Sequence, residues 1–336
     1  AGRSSPGSQS PVEDSLARNS RDLPETPVGT GPPGTYGGTI PWQAALNLGT
    51  RKMREVACVN GQFMPLAEAC ISVNDRGFLF GDSVYEVART YEGRVWALDR
   101  HLERLRRSLE GIQIEGVDLN AVRANMLEAY QRSGFDNAVI YVQITRGAGP
   151  RSHVPDGPMK PTILITVRLC KGAREEQVRN GVEVILVDET RWARRDIKTT
   201  NLLPNILALQ QAHARGAHEA VFVTDDGWVH EASHSNLFIV SGGVVRTPPK
   251  GPALLPGITR DLVLECARRA GIPAEELPVS REALLSADEV FLTGTSSEVL
   301  GVVRIDGQPV ASGTVGPITR RLHALYQDRV AAGDDA

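Results

Sequence analysis

From Val56 onward, strand-length apolar runs are cut by glycine-bearing turns and alternate with segments whose apolar residues recur at helical spacing. Such alternation restricts the chain to folds in which helices cover sheets. The run 56–66 carries Asn60-Gly61, a dipeptide suited to a two-residue hairpin turn. A second strand pair, 85–90 and 95–98, turns through Gly93, and Asp99 stands where a helix N-cap belongs. Behind it Leu102, Leu105, Leu109 and Ile112 share one helical face. A second helix carries Val122, Met126, Leu127 and Tyr130 and stops at Gly134. Strands at 138–145 and 162–169 follow, separated by a polar loop, 146–160. This half reads as α+β with a mostly antiparallel sheet.

The charged, apolar-poor stretch 171–179 reads as a linker. Beyond it come a strand at 182–187 and a helix through Ile206, Leu207, Leu209 and Ala212. Asp225-Asp226-Gly227 joins strands 220–224 and 228–231, and Gly242-Gly243 joins 237–240 and 244–247. Helices are expected near 258–270, 280–286 and 317–331, with strands near 289–293 and 299–304. At 336 residues the chain has room for about two domains and a tail. Residues 1–50 read as a flexible tail, since 1–38 hold seven Gly and six Pro and few large apolar side chains. Within it, 40–48 is apolar enough to dock on the body. The domains are then 51–172, small and α/β, and 173–332, larger.

Net charge is −3, which gives no support for nucleic-acid or membrane-surface binding. No apolar run approaches the roughly 20 residues that span a bilayer. Cys58, Cys70, Cys170 and Cys266 are widely spaced and read as reduced, mostly buried thiols. The N-terminus shows no apolar signal core, so a secretory signal is not expected and the cytoplasm is the default. No dinucleotide fingerprint, P-loop, nucleophile elbow or zincin motif occurs, and no spacing suggests a metal cluster. His213, His218 and His323 read as ordinary helix or turn residues.

Chemistry concentrates at a few positions. Only five of the 37 cations are lysines, and Lys198 alone has a chemical context: arginines and an aspartate before it, an apolar run after it. Burial and nearby cations there would lower the amine pKa, as a Schiff-base lysine requires. Glu231 ends a strand and can point into a cleft. The turn 255–260 opens a helix at Ile258 and Thr259, and Gly294-Thr295-Ser296-Ser297 follows a strand; both suit a phosphate. Arg104 can meet a phosphate or pair with a carboxylate. Arg151 and His153, on the loop 146–153, can clamp a carboxylate.

Taken together, these segments resemble the fold-type IV pyridoxal phosphate (PLP) enzymes over roughly 55–330. The resemblance is carried by Asp75-Arg-Gly-Phe-Leu-Phe-Gly-Asp-Ser-Val-Tyr-Glu-Val87, His101-Leu-Glu-Arg-Leu105, Asp196-Ile-Lys198, Glu231 with Asn236, Leu255-Pro-Gly-Ile-Thr-Arg260 and Gly294-Thr-Ser-Ser-Glu-Val299. It implies a two-domain α/β enzyme with the cofactor cleft between domains, usually a homodimer whose neighbouring subunit edges the site. Lys198 then holds PLP covalently and moves the substrate proton, Glu231 pairs with the pyridine nitrogen, and Leu255 packs on the ring face. Arg104, Ile258, Thr259, Thr295 and Ser296 form the phosphate cup. Within the family the pattern is closest to the D-amino acid transaminases, in which Tyr85, Arg151 and His153 would hold the substrate carboxylate. A D-amino acid would thus give its amino group to 2-oxoglutarate or pyruvate. Branched-chain or (R)-amine aminotransferases and an aminodeoxychorismate lyase-type elimination are the alternatives, with a non-catalytic cofactor-binding protein behind them. Three positions depart from the pattern: His234 stands where a small residue is usual, Arg195 replaces a smaller residue, and Gly294 removes a hydroxyl from the cup.

Overall fold

The computed structural model describes Gly2, residues 55–155 and residues 157–335. Apart from Gly2, the expected tail (1–50) and its apolar stretch (40–48) lie outside the described residues.

Turn chemistry organises the first sheet. Asn60 and Gly61 both adopt positive φ, 51° and 83°, and fold β1 (Val56–Val59) against β2 (Gln62–Pro65). The short helix α1 (Arg76–Phe80) leads into β3 (Ser83–Tyr91), which turns through Gly93 into β4 (Arg94–Val95). The helix α2 (Leu98–Gly111) starts two residues earlier than its capping signal suggests: Ala97 is the N-cap. Asp99 therefore sits in the first turn, where its carboxylate meets Arg123. The helix α3 (Leu119–Ser133) is capped by Asp118 and ends on Gly134 at φ 64°. With β5 (Ala138–Thr145) and β6 (Thr162–Leu169) the strand order is β2-β1-β6-β5-β3-β4, every neighbour antiparallel. Leu105, Leu109, Val122 and Met126 from the two helices share one core with Val84, Ile140 and Ile165 of the sheet.

The stretch read as a linker contains a helix, α4 (Glu175–Asn180). None of its residues is buried, so it lacks the apolar periodicity that would reveal it. Beyond it lie β7 (Val182–Asp188), α5 (Leu203–Ala214), β8 (Glu219–Val223), β9 (Trp228–Ala232), β10 (Asn236–Ser241) and β11 (Val244–Thr247). Next come α6 (Ile258–Arg269), β12 (Ala274–Glu276), β13 (Val279–Ser280) and α7 (Arg281–Leu285). The chain closes with β14 (Glu289–Gly294), β15 (Glu298–Ile305), β16 (Gln308–Pro309) and α8 (Pro317–Ala332).

The second sheet runs β12-β11-β10-β14-β15-β7-β8-β9-β13, with parallel neighbours at β11–β12, β15–β7 and β7–β8. The pair Asn236↔Glu231 also joins β10 to β9, so β10-β14-β15-β7-β8-β9 close into a ring. Alternation along β10 divides its side chains: Leu237 and Ile239 pack in one cluster, Phe238 and Val240 in another with α6 and α8. In α5 the small residues Ala208 and Ala212 are buried, while Leu203, Ile206 and Leu207 are exposed. All four cysteines are free; Cys58 and Cys266 are buried, but Cys70 is exposed and Cys170 only partly covered. Among the described residues no helix is long and apolar enough to cross a membrane.

Candidate active site

Lys198 is held by its backbone on both sides. Its carbonyl accepts from Tyr85 N (2.9 Å), its own N–H donates to Ser108 Oγ (3.2 Å), and Thr199 bridges Val84. The lysine segment thus runs along the free stretch of β3 like a short extra strand. Its ammonium lies 4.3 Å from the centre of the Tyr85 ring, which stacks on Tyr141. Burial pushes the Tyr141 hydroxyl up to about 12.

Lys198, Tyr85, Glu231 and Leu255 all line one cavity, joined by Arg191 and His234. Glu231 stands at the ring seam. Its Oε1 accepts from Arg191 Nη1 (2.6 Å), and its Oε2 accepts from Leu255 N (3.1 Å) and Asn236 Nδ2 (3.2 Å). Burial raises the Glu231 carboxyl against the pull of Arg191. The Leu255 turn approaches so closely that a Cβ on Gly257 would stand 2.0 Å from Asn236 Oδ1.

Behind the cavity a second constellation assembles. Gly257 provides no side-chain cap for α6, so the first N–H groups, at Ile258 and Thr259, have no acceptor within the helix. Arg104 reaches this turn through Nη1, which donates to Pro256 O (3.0 Å). Its Nε and Nη2 grip the two oxygens of Glu86 (2.6 and 2.9 Å), which also meet His101 Nδ1 (2.7 Å). The carboxylate pairing that the sequence left open for Arg104 is therefore present, beside the turn that opens α6. Burial alone would raise Glu86, but Arg104 and His101 outweigh it and hold the carboxyl far below its usual range. Thr295 and Ser296 lie in the β14–β15 turn, where Ser296 O accepts from Arg89. A Cβ on Gly294 would come within 2.8 Å of Ser297 Oγ and 3.5 Å of Ser235 Oγ, which accounts for glycine there.

Arg151 and His153 are exposed and do not line this cavity. Their loop is pinned instead by Arg76, whose Nη2 donates to His153 O (3.0 Å) and whose Nη1 donates to Ser152 O. Both side chains flank Phe80.

Residues 83–305 match the family model for class IV amino-transferases. The chain belongs to the class IV aminotransferase family. It is similar to the D-alanine aminotransferase of Bacillus licheniformis, 37% identical over 81% of this chain and 95% of the relative. The D-alanine aminotransferase of Staphylococcus epidermidis is 40% identical over 80% and 95%. Among solved structures it resembles the T.th. branched-chain amino acid aminotransferase with pyridoxamine 5′-phosphate: TM-score 0.77, 30% identity, covering 83% of this chain and 94% of that one. The Escherichia coli branched-chain enzyme gives TM-score 0.75 at 26% identity, over 82% and 93%.

As a class IV aminotransferase, the chain uses PLP, and its residues fit that group. An amine and a carboxylate open onto one cavity. Among the described residues, buried Ser235 Oγ and Thr293 Oγ1 have no hydrogen-bond partner, as hydroxyls free to meet a bound acceptor would. Replacing Gly257 with alanine should displace Asn236 and loosen its bonds to Glu231 and Leu255 O. The aminotransferase should then bind PLP about 10-fold more weakly in an apoenzyme titration, the equivalent of one or two lost hydrogen bonds.

Arg191 also grips Glu189 (Nη2–Oε2, 2.7 Å). Burial would raise the Glu189 carboxyl, but the Arg191 bonds, with His230 nearby at 3.9 Å, prevail and hold it at about 2. An unfolded Glu titrates near 4.5, so between those values the unfolded chain binds more protons. The aminotransferase should keep this stabilisation above about pH 4.5 and lose it as pH falls toward 2. Thermal melts across that range should show a slope that Glu189→Gln flattens.

Two groupings escaped the sequence reading. The Glu86–His101–Arg104 cluster joins a strand to a helix face, and no local spacing announces it. His218, Glu219 and His234, read separately from the sequence, bring their ligating atoms within 4.8 Å of one another. Glu219 and His234 stand 15 positions apart with β9 between them, which hides that convergence.

Proposed function

We propose that this aminotransferase moves the amino group of a D-amino acid of the D-alanine type to a 2-oxo acid such as 2-oxoglutarate or pyruvate. The observation that carries this reading is the contrast in identity. The two D-alanine aminotransferases match at 37% and 40%, the branched-chain enzymes at 26–30%. The latter keep L-branched-chain transamination as the second reading.

When bound, PLP supplies an electron sink for the substrate carbon bearing the amino group. The chain's own residues do the rest. Lys198 Nζ carries the proton off and onto that carbon, held at a fixed distance from Tyr85 by the backbone bond between them. Glu231 offers a carboxylate to a ring cation, kept in register by Arg191, Asn236 and Leu255 N. The free N–H groups of α6 and the hydroxyls of Thr259, Thr295, Ser296 and Ser235 suit a phosphate. Tyr85 orients the substrate.

Arg151 and His153 complete the carboxylate clamp in a homodimer, reaching the cavity of a second copy. Their loop and the 71–78 segment share one surface through Gly149 N–Asn74 O, and Val73, Phe78 and Val154 there are 72%, 76% and 73% exposed. A second copy would cover this apolar face. Cytoplasmic location belongs to the same reading, supported by four free thiols.

Incubation with 2-oxoglutarate and either D-alanine, L-alanine or L-leucine tests it. Pyruvate from D-alanine is the expected product; turnover of L-leucine without D-alanine would overturn the reading. Arg151→Ala should raise the KM for D-alanine about 10-fold or more, leave PLP content unchanged, and leave a dimer in sedimentation.

A further inference from the structure

Glu219, at the start of β8, is completely buried (0% exposed). Its Oε1 is crowded with donors: His234 N at 2.6 Å, His234 Nδ1 at 3.0 Å and Ser233 Oγ at 3.3 Å. Among the described residues its Oε2 has no hydrogen-bond partner, and neither does the buried Nε2 of His218. A buried carboxylate requires a compensating cation. Among the described residues its ion-pair partner is the His234 imidazole, whose side chain is 52% exposed at the rim of the cofactor cavity. Two imidazoles and a carboxylate thus converge with two buried polar atoms unsatisfied among them.

We propose that His218, Glu219 and His234 bind a divalent transition metal of the zinc class at the rim of the cofactor cavity. Two histidines and one glutamate form a recognised three-ligand zinc set that leaves a fourth position to water. Bond lengths of about 2.0–2.1 Å call for ligand atoms closer together than the present 4.8 Å limit, so the group must contract. The half-exposed His234 ring is free to supply that movement. Behind His218, the Gln177 side-chain amide lies 3.4 Å from Nδ1. Turning its oxygen to that nitrogen would let it accept Nδ1–H and leave the Nε2 lone pair for the metal, in place of the 3.2 Å bond from Arg174 N. His234 lines the cofactor cavity, but none of the three ligands is among the residues proposed to hold PLP, and the site does not depend on which amino acid the enzyme uses.

Equilibrium dialysis of the holoenzyme against Zn2+ tests the assignment, with Co2+ as the spectroscopic probe because its visible band reports tetrahedral ligation. One Zn2+ per chain is expected, with a cobalt band of tetrahedral intensity. His218→Asn and His234→Ser should each weaken binding at least about 100-fold, while Gln177→Ala should weaken it about 10-fold, as loss of a ligand's outer partner does. Circular dichroism and thermal melts identify any variant that fails to fold. Should His218→Asn be one, the half-exposed His234→Ser decides alone. Stoichiometric zinc that survives His234→Ser, or no stoichiometric zinc on the wild-type holoenzyme, would overturn the proposal.

Discussion

Replacing Lys198 with alanine is expected to reduce transamination by at least about 10³-fold, within the range that loss of a positioned proton carrier produces. The backbone that anchors position 198 is untouched by the change, because Tyr85 N and Ser108 Oγ bond to main-chain atoms. The variant should therefore melt close to the parent and differ in chemistry alone. No other lysine among the described residues lines the cavity; Lys250, for example, is paired with Asp261. Unchanged D-alanine turnover in Lys198→Ala, measured with the folded variant saturated in PLP, would remove Lys198 from the mechanism.

The second large effect is on stability. Glu86→Ala should destabilise the enzyme by about 3–5 kcal/mol, since it leaves the Arg104 guanidinium buried without its counter-charge. In a thermal melt this corresponds to a drop of roughly 10 °C. His101 does not replace the lost charge: burial lowers its pKa despite the contact with Glu86, so the ring is neutral near pH 7. Pairing Glu86→Leu with Arg104→Met removes both charges and should cost less than Glu86→Ala alone. A double variant as unstable as the single one would show that packing, not the unpaired charge, sets the loss. PLP affinity provides an independent reading, because Arg104 also holds Pro256 O in the turn that opens α6. Both the single and the double variant should bind the cofactor more weakly than the parent.

Much of this architecture was legible in the sequence because local rules and tertiary packing agree. Asn60-Gly61, Gly93 and Gly134 stand where positive φ is needed, and the strands at 138–145 and 162–169 match β5 and β6 end to end. What escaped is short or non-periodic. Strands β12, β13 and β16 have only two or three residues, too few for an alternation to register. The helix α4 buries nothing and so carries no apolar stripe. At the site, Lys198, Glu231, Tyr85 and Leu255 were recognisable from their motifs and share one cavity. Arg191 is one of the arginines before Lys198, and nothing local marks it as the direct partner of Glu231. The partners of Arg104 and His234 could not be read, because each pairing crosses between elements that only the folded chain brings together.

The seam where β9 meets β10 rests on one residue pair, Glu231 and Asn236, while β10–β14, β14–β15 and β7–β8 in the ring are joined by ladders of five pairs each. A barrel with one weak stave joint opens there first, at a free energy below that of global unfolding. Cofactor gripped across that joint acts as a rivet, and ligand that binds only the closed form raises the cost of opening by mass action. Heat inactivation of this enzyme should accordingly track free PLP concentration, with amide exchange around residues 231–236 quickening as the cofactor is withdrawn and the distant first sheet keeping its protection.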